Sequence, residues 1–184
     1  MSRTLTLLAA TTVLVGLSPG MAAADDGGGR PGAPGSGDPY FPLDGNGGID
    51  VEPHYLRQAR WAEQAGFERL WISDHYHPWN DEQGNSPFVW SVIGALSEVT
   101  SLPITTAVTC PTVRIHPAVV AQAAATAAVQ CQGGFTLGVG SGEALNEHIF
   151  GDAWPSADVR LEMLEESVEV MRLLFEGGTK DYEG

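Results

Sequence analysis

The sequence predicts an α/β fold in which successive βαβ units build a parallel sheet across residues 50–184. Short β-branched and apolar runs alternate with stretches of helical periodicity, the rhythm of a parallel sheet rather than of hairpins. Strands are expected at 69–73, 104–109 and 135–139. Each runs into a polar, reactive segment at its C-terminal end, where such folds collect their chemistry. Those segments are Ser73-Asp74-His75, Thr109-Cys110-Pro111-Thr112 and Gly140-Ser141-Gly142-Glu143.

The elements follow in order. Asp50 is placed to cap a first helix with Pro53 in its first turn, and Tyr55, Leu56, Ala59, Ala62 and Ala65 recur at helical spacing until Gly66 stops it. Arg69 to Ser73 is a short apolar strand. Ser86-Pro87 pairs a cap with a first-turn proline and opens a helix to about Glu98. Ile104 to Thr109 is β-branched. His116-Pro117 opens an alanine-rich helix through Val129, broken by Gly133-Gly134, and Phe135 to Val139 is the next strand. Asp158 is placed to cap a last helix with Leu161, Leu164, Val168, Met171 and Leu174 on one face, ended by Gly177-Gly178.

The preceding fifty residues have a different character. Residues 1–24 read as a secretory signal: Arg3, a short apolar run from Leu5 to Leu17, and Ala22-Ala23-Ala24 before Asp25. The run is too short for stable membrane insertion, so the chain is expected to be exported, or cytoplasmic if the true start lies further on. Residues 25–49, rich in Gly, Pro, Asp and Ser, read as a flexible linker. Across 184 residues, nine Lys and Arg face 23 Asp and Glu, a net charge of −14 that argues against a nucleic-acid or anionic-membrane partner and leaves a small molecule. Two cysteines are too few for a disulfide framework. Cys110 and Cys131 sit at opposite ends of one βα unit, beyond bridging distance, so two free thiols are expected.

Several residues invite a chemical reading beside a structural one. His75, next to Asp74, suits a base or electrostatic partner near neutral pH, and Trp79 offers a broad face to a flat ring. The structural alternative is that Asp74 caps a turn, His75 is a satisfied imidazole and Trp79 fills core. His75 and His77 form an H-x-H pair, but the further ligands a metal site needs do not follow in order, so no metal is expected. Gly138-Val139-Gly140-Ser141-Gly142-Glu143 could bring backbone N–H groups to a phosphate or ring, but lacks the last glycine of a dinucleotide fingerprint. Glu143 suits a general acid if partly buried, or simply favours the positive end of the helix that starts there. Cys110 could touch a ligand or be an inert buried thiol.

Three segments together, LWISDHYHPWNDEQGNSPFVWSVIGAL, TTAVTCPTVRIHPAVVAQAAATAAV and FTLGVGSGEALNEHIFG, resemble the luciferase-like flavin and deazaflavin oxidoreductases, closest to the F420-dependent glucose-6-phosphate dehydrogenase group. The resemblance covers about Asp50 to Gly184. It implies the first half of a (β/α)8 TIM barrel that binds coenzyme F420 at the C-terminal ends of its strands and transfers hydride from a substrate carbinol, such as that of a sugar phosphate. It implies that His75 lies near the reacting carbon, that Trp79 faces the substrate, and that Glu143 handles the proton on the ring. Asp74, Ala107, Val108, Cys110 and Asn146 match coenzyme-contacting positions; Ala107-Val108 matches a bulge that often holds a non-proline cis peptide. An FMN-dependent monooxygenase and a catalytically incompetent fragment are the alternatives.

Two features depart from the family. PYFPLDGNGGID stands where a first strand is expected, and the sequence given reaches Gly184 before the later strands and their phosphate-binding basic residues. A sheet of this size leaves apolar surface and strand edges open. The expectation is therefore a truncated barrel that binds deazaflavin poorly, or one that completes itself as a homodimer.

Overall fold

The computed structural model of the chain describes residues 53–79 and 86–184. The signal at 1–24, the linker at 25–49, the proposed cap Asp50 and the PYFPLDGNGGID segment lie outside the described residues. Among the described residues, five helices and three strands follow one another: α1 (His54–Gln64), β1 (Leu70–Ile72), α2 (Val89–Leu96), β2 (Ile104–Thr106), α3 (Pro117–Gln130), β3 (Phe135–Thr136), α4 (Ala144–Glu147) and α5 (Ala157–Phe175), with a 3-10 turn at His148–Phe150. The strands form one parallel sheet in the order β1-β2-β3. Leu70, Ile104 and Phe135 stand in one row across it, and Trp71, Thr105 and Thr136 in the next.

These rows face opposite sides, as the two-residue repeat of a strand demands. The first row meets the helices: Leu70 and Ile104 pack with Ala59 of α1, Val89, Val92, Ile93 and Leu96 of α2, and Ala127 of α3, with Phe135 against them. Each fully buried Leu, Ile or Val here contributes about 1.5–3 kcal/mol. A second cluster joins Val120, Ala121 and Ala124 of α3 to Leu137 and to Met171 of α5. On the opposite face of the sheet, Arg69 reaches across to the hydroxyls of Thr105 (3.0 Å) and Thr136 (3.2 Å).

The predicted order of elements stands, and several boundaries move. α1 begins at His54 with Pro53 in the N-cap position. Ser86-Pro87 does not open α2: the N-cap is Phe88, and the Ser86 hydroxyl donates instead to the carbonyl of His75 at 2.8 Å. His116-Pro117 does open α3, the His116 Nδ1 accepting from the amide of Ala118. α5 starts one residue after Ser156, so Asp158 lies inside its first turn rather than capping it. Of its expected apolar face, Met171 is buried while Leu161 is 56% and Leu174 38% exposed. The reason is geometric: α5 packs against α3 through Met171 and Val168, and the Ser167 hydroxyl donates to the Pro111 carbonyl at 2.9 Å, while the outer leucines lie off this stripe. Cys110 and Cys131 are both buried and unbridged, as the spacing predicts.

The strands are shorter than predicted, β1 ending at Ile72, β2 at Thr106 and β3 at Thr136. The Ala107–Val108 peptide is cis. Ladder bonding resumes beyond it, where Thr109 bridges Val139 in parallel fashion.

Candidate active site

Three loops leave the C-terminal ends of the strands side by side, and buried polar contacts lock them together. Asp74, just past β1, is buried. Its Oδ2 accepts the hydroxyl of Thr109 at 2.9 Å and its Oδ1 accepts Arg114 Nη2 at 2.8 Å. The same Nη2 also donates to the Asp74 carbonyl at 3.1 Å. On its other side Arg114 meets Glu147 of α4: the backbone N–H donates to Oε2 at 2.8 Å, and Nε stands 3.5 Å from Oε1. The side chains of Asp74 and Glu147 are each 1% exposed and that of Arg114 6%. Burial is the largest influence on Arg114 and works against its charge, yet the carboxylates of Asp74 and Glu147 prevail and hold its pKa above the usual value. Burial raises that of Glu147, and the contacts from Arg114 only partly offset it.

His75 stands on this base. Its Nε2 lies 3.9 Å from Glu143 Oε1, and its ring sits 4.7 Å from that of Trp79 at a tilt of 55°. Half-burial depresses the imidazole pKa below 6.5; Glu143 and then Asp74 pull it back up, and Arg114 adds to the depression. His75 is therefore neutral at pH 7, with one ring nitrogen able to accept a proton. Glu143 is half exposed at the N-cap of α4, its side chain capping no backbone N–H. The chemistry available is a neutral base and an accessible carboxylate within reach of one ligand, walled on one side by Trp79.

The other predicted residues take different positions. Asn146 is buried, and its Oδ1 accepts the backbone N–H groups of Tyr76 (2.9 Å) and His77 (3.1 Å), so its amide oxygen holds the His75 loop. Ala107 donates its N–H to Ile72 at 2.8 Å, and the Val108 side chain is exposed at the rim. Cys110 is buried beneath the glycine loop with its Sγ 3.0 Å from the Thr112 hydroxyl, and burial pushes the thiol pKa up. The glycines serve the chain's own packing. A Cβ on Gly138 would lie 2.2 Å from the Thr106 carbonyl oxygen, and one on Gly142, at φ +81°, would lie 2.7 Å from Cys110 Sγ. The Gly138 N–H donates to Thr106 Oγ1 and the Gly140 N–H to the Thr109 carbonyl, so a phosphate cradle there would lack both donors. The His77 ring stacks 5.9 Å from that of His148. Among the described residues no group of three or more His, Cys, Asp or Glu could hold a metal ion.

Sequence reasoning put Thr109 in a polar strand-end segment without giving it a role, and it missed Arg114 and Glu147. A signal for the latter two was present. Arg114 is an isolated cation in an otherwise apolar stretch, and Glu147 follows Glu143 by one helical turn.

The fold and site define a partial (β/α)8 barrel with its polar groups gathered at the C-terminal rim of a parallel sheet. The chain belongs to the luciferase-like monooxygenase family, matching it over residues 40–184. It is 42% identical over 124 residues to an F420-dependent glucose-6-phosphate dehydrogenase of Microbacterium testaceum, covering 67% of this chain and 37% of that protein. It is 40% identical over 130 residues to an F420-dependent hydroxymycolic acid dehydrogenase of Mycobacterium tuberculosis, covering 70% and 36%. Among solved structures, an F420-dependent secondary alcohol dehydrogenase in complex with an F420–acetone adduct aligns with a TM-score of 0.67 at 41% identity, over 70% of this chain and 40% of that one. A type II Baeyer–Villiger monooxygenase in complex with FMN, 18% identical at a TM-score of 0.59, shares the fold. The chain thus spans little more than a third of the length of the curated relatives it matches.

Proposed function

We propose that this chain supplies part of the active site of an F420-dependent oxidoreductase that moves hydride between a substrate carbinol and deazaflavin. The observation that carries the reading is the approach of His75 Nε2 to Glu143 Oε1, 3.9 Å apart at the strand-end rim. The relatives' named substrates support a carbinol: glucose-6-phosphate, a hydroxymycolic acid and a secondary alcohol each bear a hydroxyl on carbon.

The residues present fit a flat ring system. Val108 and Trp79 put exposed apolar surface at the rim, and His75 and Glu143 place two proton-handling groups between the loops. Ala107 and Val108 would back the ring, whereas Asp74, Cys110 and Asn146 are buried and would support it from beneath. When bound, deazaflavin supplies a carbon that accepts or returns hydride. The chain's own groups do the rest. Neutral His75 takes the hydroxyl proton as the carbinol is oxidised. Trp79 faces the substrate and stabilises positive charge developing there. Glu143, half exposed, gives or takes the proton on the ring side.

Absorbance and fluorescence titration with F420 and with FMN tests this. F420 binding by this chain that is weak and weakened further by His75→Ala is expected, with turnover lost in Glu143→Gln of a version spanning the full length of the relatives. FMN binding alone would point to the monooxygenase reading, and binding of neither would overturn both. Two further readings belong here. Residues 1–24 act as an export signal, supported by Arg3, the apolar run and the alanine triplet; a mature N-terminus at Asp25 is the expected mass-spectrometric result. Self-association to a homodimer is supported by the outer edges of β1 and β3, unpaired among the described residues, and gel filtration decides it. No helix among the described residues is long and apolar enough to cross a membrane.

A further inference from the structure

We propose that Arg114 is a positioning residue: held between Asp74 and Glu147, it locks the loops after β1 and β3 so that His75 and Glu143 face one another. This rests on the reading of His75 and Glu143 as the reacting pair.

The argument is one of connectivity. Asp74 immediately precedes His75, and Arg114 grips both its carboxylate (2.8 Å) and its carbonyl (3.1 Å). A single guanidinium thus fixes the side chain and the backbone of the residue from which His75 departs. Glu147 ends the helical turn that Glu143 begins, its N–H donating to the Glu143 carbonyl at 3.1 Å. Gripping Glu147 therefore sets where that turn presents Glu143. Asn146, in the same turn, accepts the N–H groups of Tyr76 and His77, closing the circuit back to the His75 loop.

Chemistry requires arginine here. Two buried acids on opposite sides need a cation with several donors in a fixed fork, which a lysine ammonium on a flexible stem does not offer. The groups facing His75 are Glu143, Asp74 and Arg114. Without the guanidinium His75 would lose a repelling charge and feel an unneutralised Asp74 carboxylate.

The test uses Arg114→Gln and Arg114→Lys in the full chain without any cofactor. The readouts are the NMR titration of the His75 imidazole, assigned with His75→Gln, and hydrogen exchange of the Tyr76 and His77 amides. In Arg114→Gln the His75 midpoint is expected to rise. In both variants Tyr76 and His77 are expected to lose about tenfold in protection, while β2 and α3 keep theirs. Should Arg114→Gln fail to fold, Arg114→Lys, which keeps the charge and loses the fork, decides by its exchange pattern. Folded variants with unchanged exchange at Tyr76 and His77 would overturn the proposal, and so would a uniform loss of protection throughout the chain. Neither readout involves turnover, so absent F420 binding would count against the functional reading alone.

Discussion

Replacing Asp74 with Asn isolates the worth of one buried charge. The amide has nearly the volume of the carboxylate, and it can turn its oxygen to Arg114 and its NH2 to the Thr109 hydroxyl. Both hydrogen bonds at 2.8 and 2.9 Å can therefore persist in neutral form. What disappears is one of the two anions balancing Arg114 at a site where the three side chains are 1–6% exposed. Breaking a buried ion pair costs about 3–5 kcal/mol when the survivor is stranded. Here Glu147 remains, which places the expected loss near the lower end, about 3 kcal/mol. Thr109→Val removes only a hydroxyl donor to the same carboxylate and should cost about 1–2 kcal/mol. Because both changes act on one group, the double variant should fall short of their sum by about 1 kcal/mol. Urea unfolding at pH 7, followed by circular dichroism and tryptophan fluorescence, measures all three. An Asp74→Asn loss below about 1 kcal/mol, or strict additivity with Thr109→Val, would refute the claim that this charge network holds the loops.

Other expectations follow from individual contacts. The folded state binds the His75 proton more weakly than the unfolded chain does, because burial depresses its pKa below 6.5. Its contribution to stability is thus complete above about pH 6.5 and lost as pH falls through the lower, folded value. Urea midpoints measured from pH 7.5 to 5 should decline, and the decline should be shallower in His75→Gln. Gly138→Ala drives a methyl to 2.2 Å from the Thr106 carbonyl oxygen and should cost at least about 2 kcal/mol by parting β3 from β2. Gly94→Ala, inside α2 with nothing nearer than Gln130 Oε1 at 3.9 Å, should instead stabilise by about 0.5–1 kcal/mol; thermal melts of the pair should move in opposite directions. Cys110 and Cys131 are both buried with raised thiol pKa values, so a thiol reagent should label neither at an appreciable rate until the chain unfolds.

Much of the architecture was legible because it depends on local pattern. The β-branched run at Ile104, the His116-Pro117 start of α3 and the glycines after it act over a few residues, and they lie where the pattern puts them. Boundaries set by long-range contacts were not legible. Ser86 looks like a helix cap, but the His75 carbonyl, eleven positions earlier, takes its hydroxyl. Leu161 and Leu174 keep helical spacing with Met171, yet Met171 packs against α3 while the two leucines stay exposed.

The same division runs through the candidate site. Residue type and strand-end placement bring His75, Trp79 and Glu143 into view, because residue type sets acid–base character and a parallel sheet puts all its strand ends on one rim; the family resemblance, not spacing, suggested their chemical roles. Tertiary structure decided which of the polar residues face outward and which bind the loops to one another. Asp74, Arg114, Asn146 and Glu147 carry charged or polar side chains, and each is buried because a partner more than thirty positions away satisfies it. No local pattern encodes such pairing: a buried charge is tolerated only where the fold delivers its counter-charge, and that delivery is a property of three loops at once.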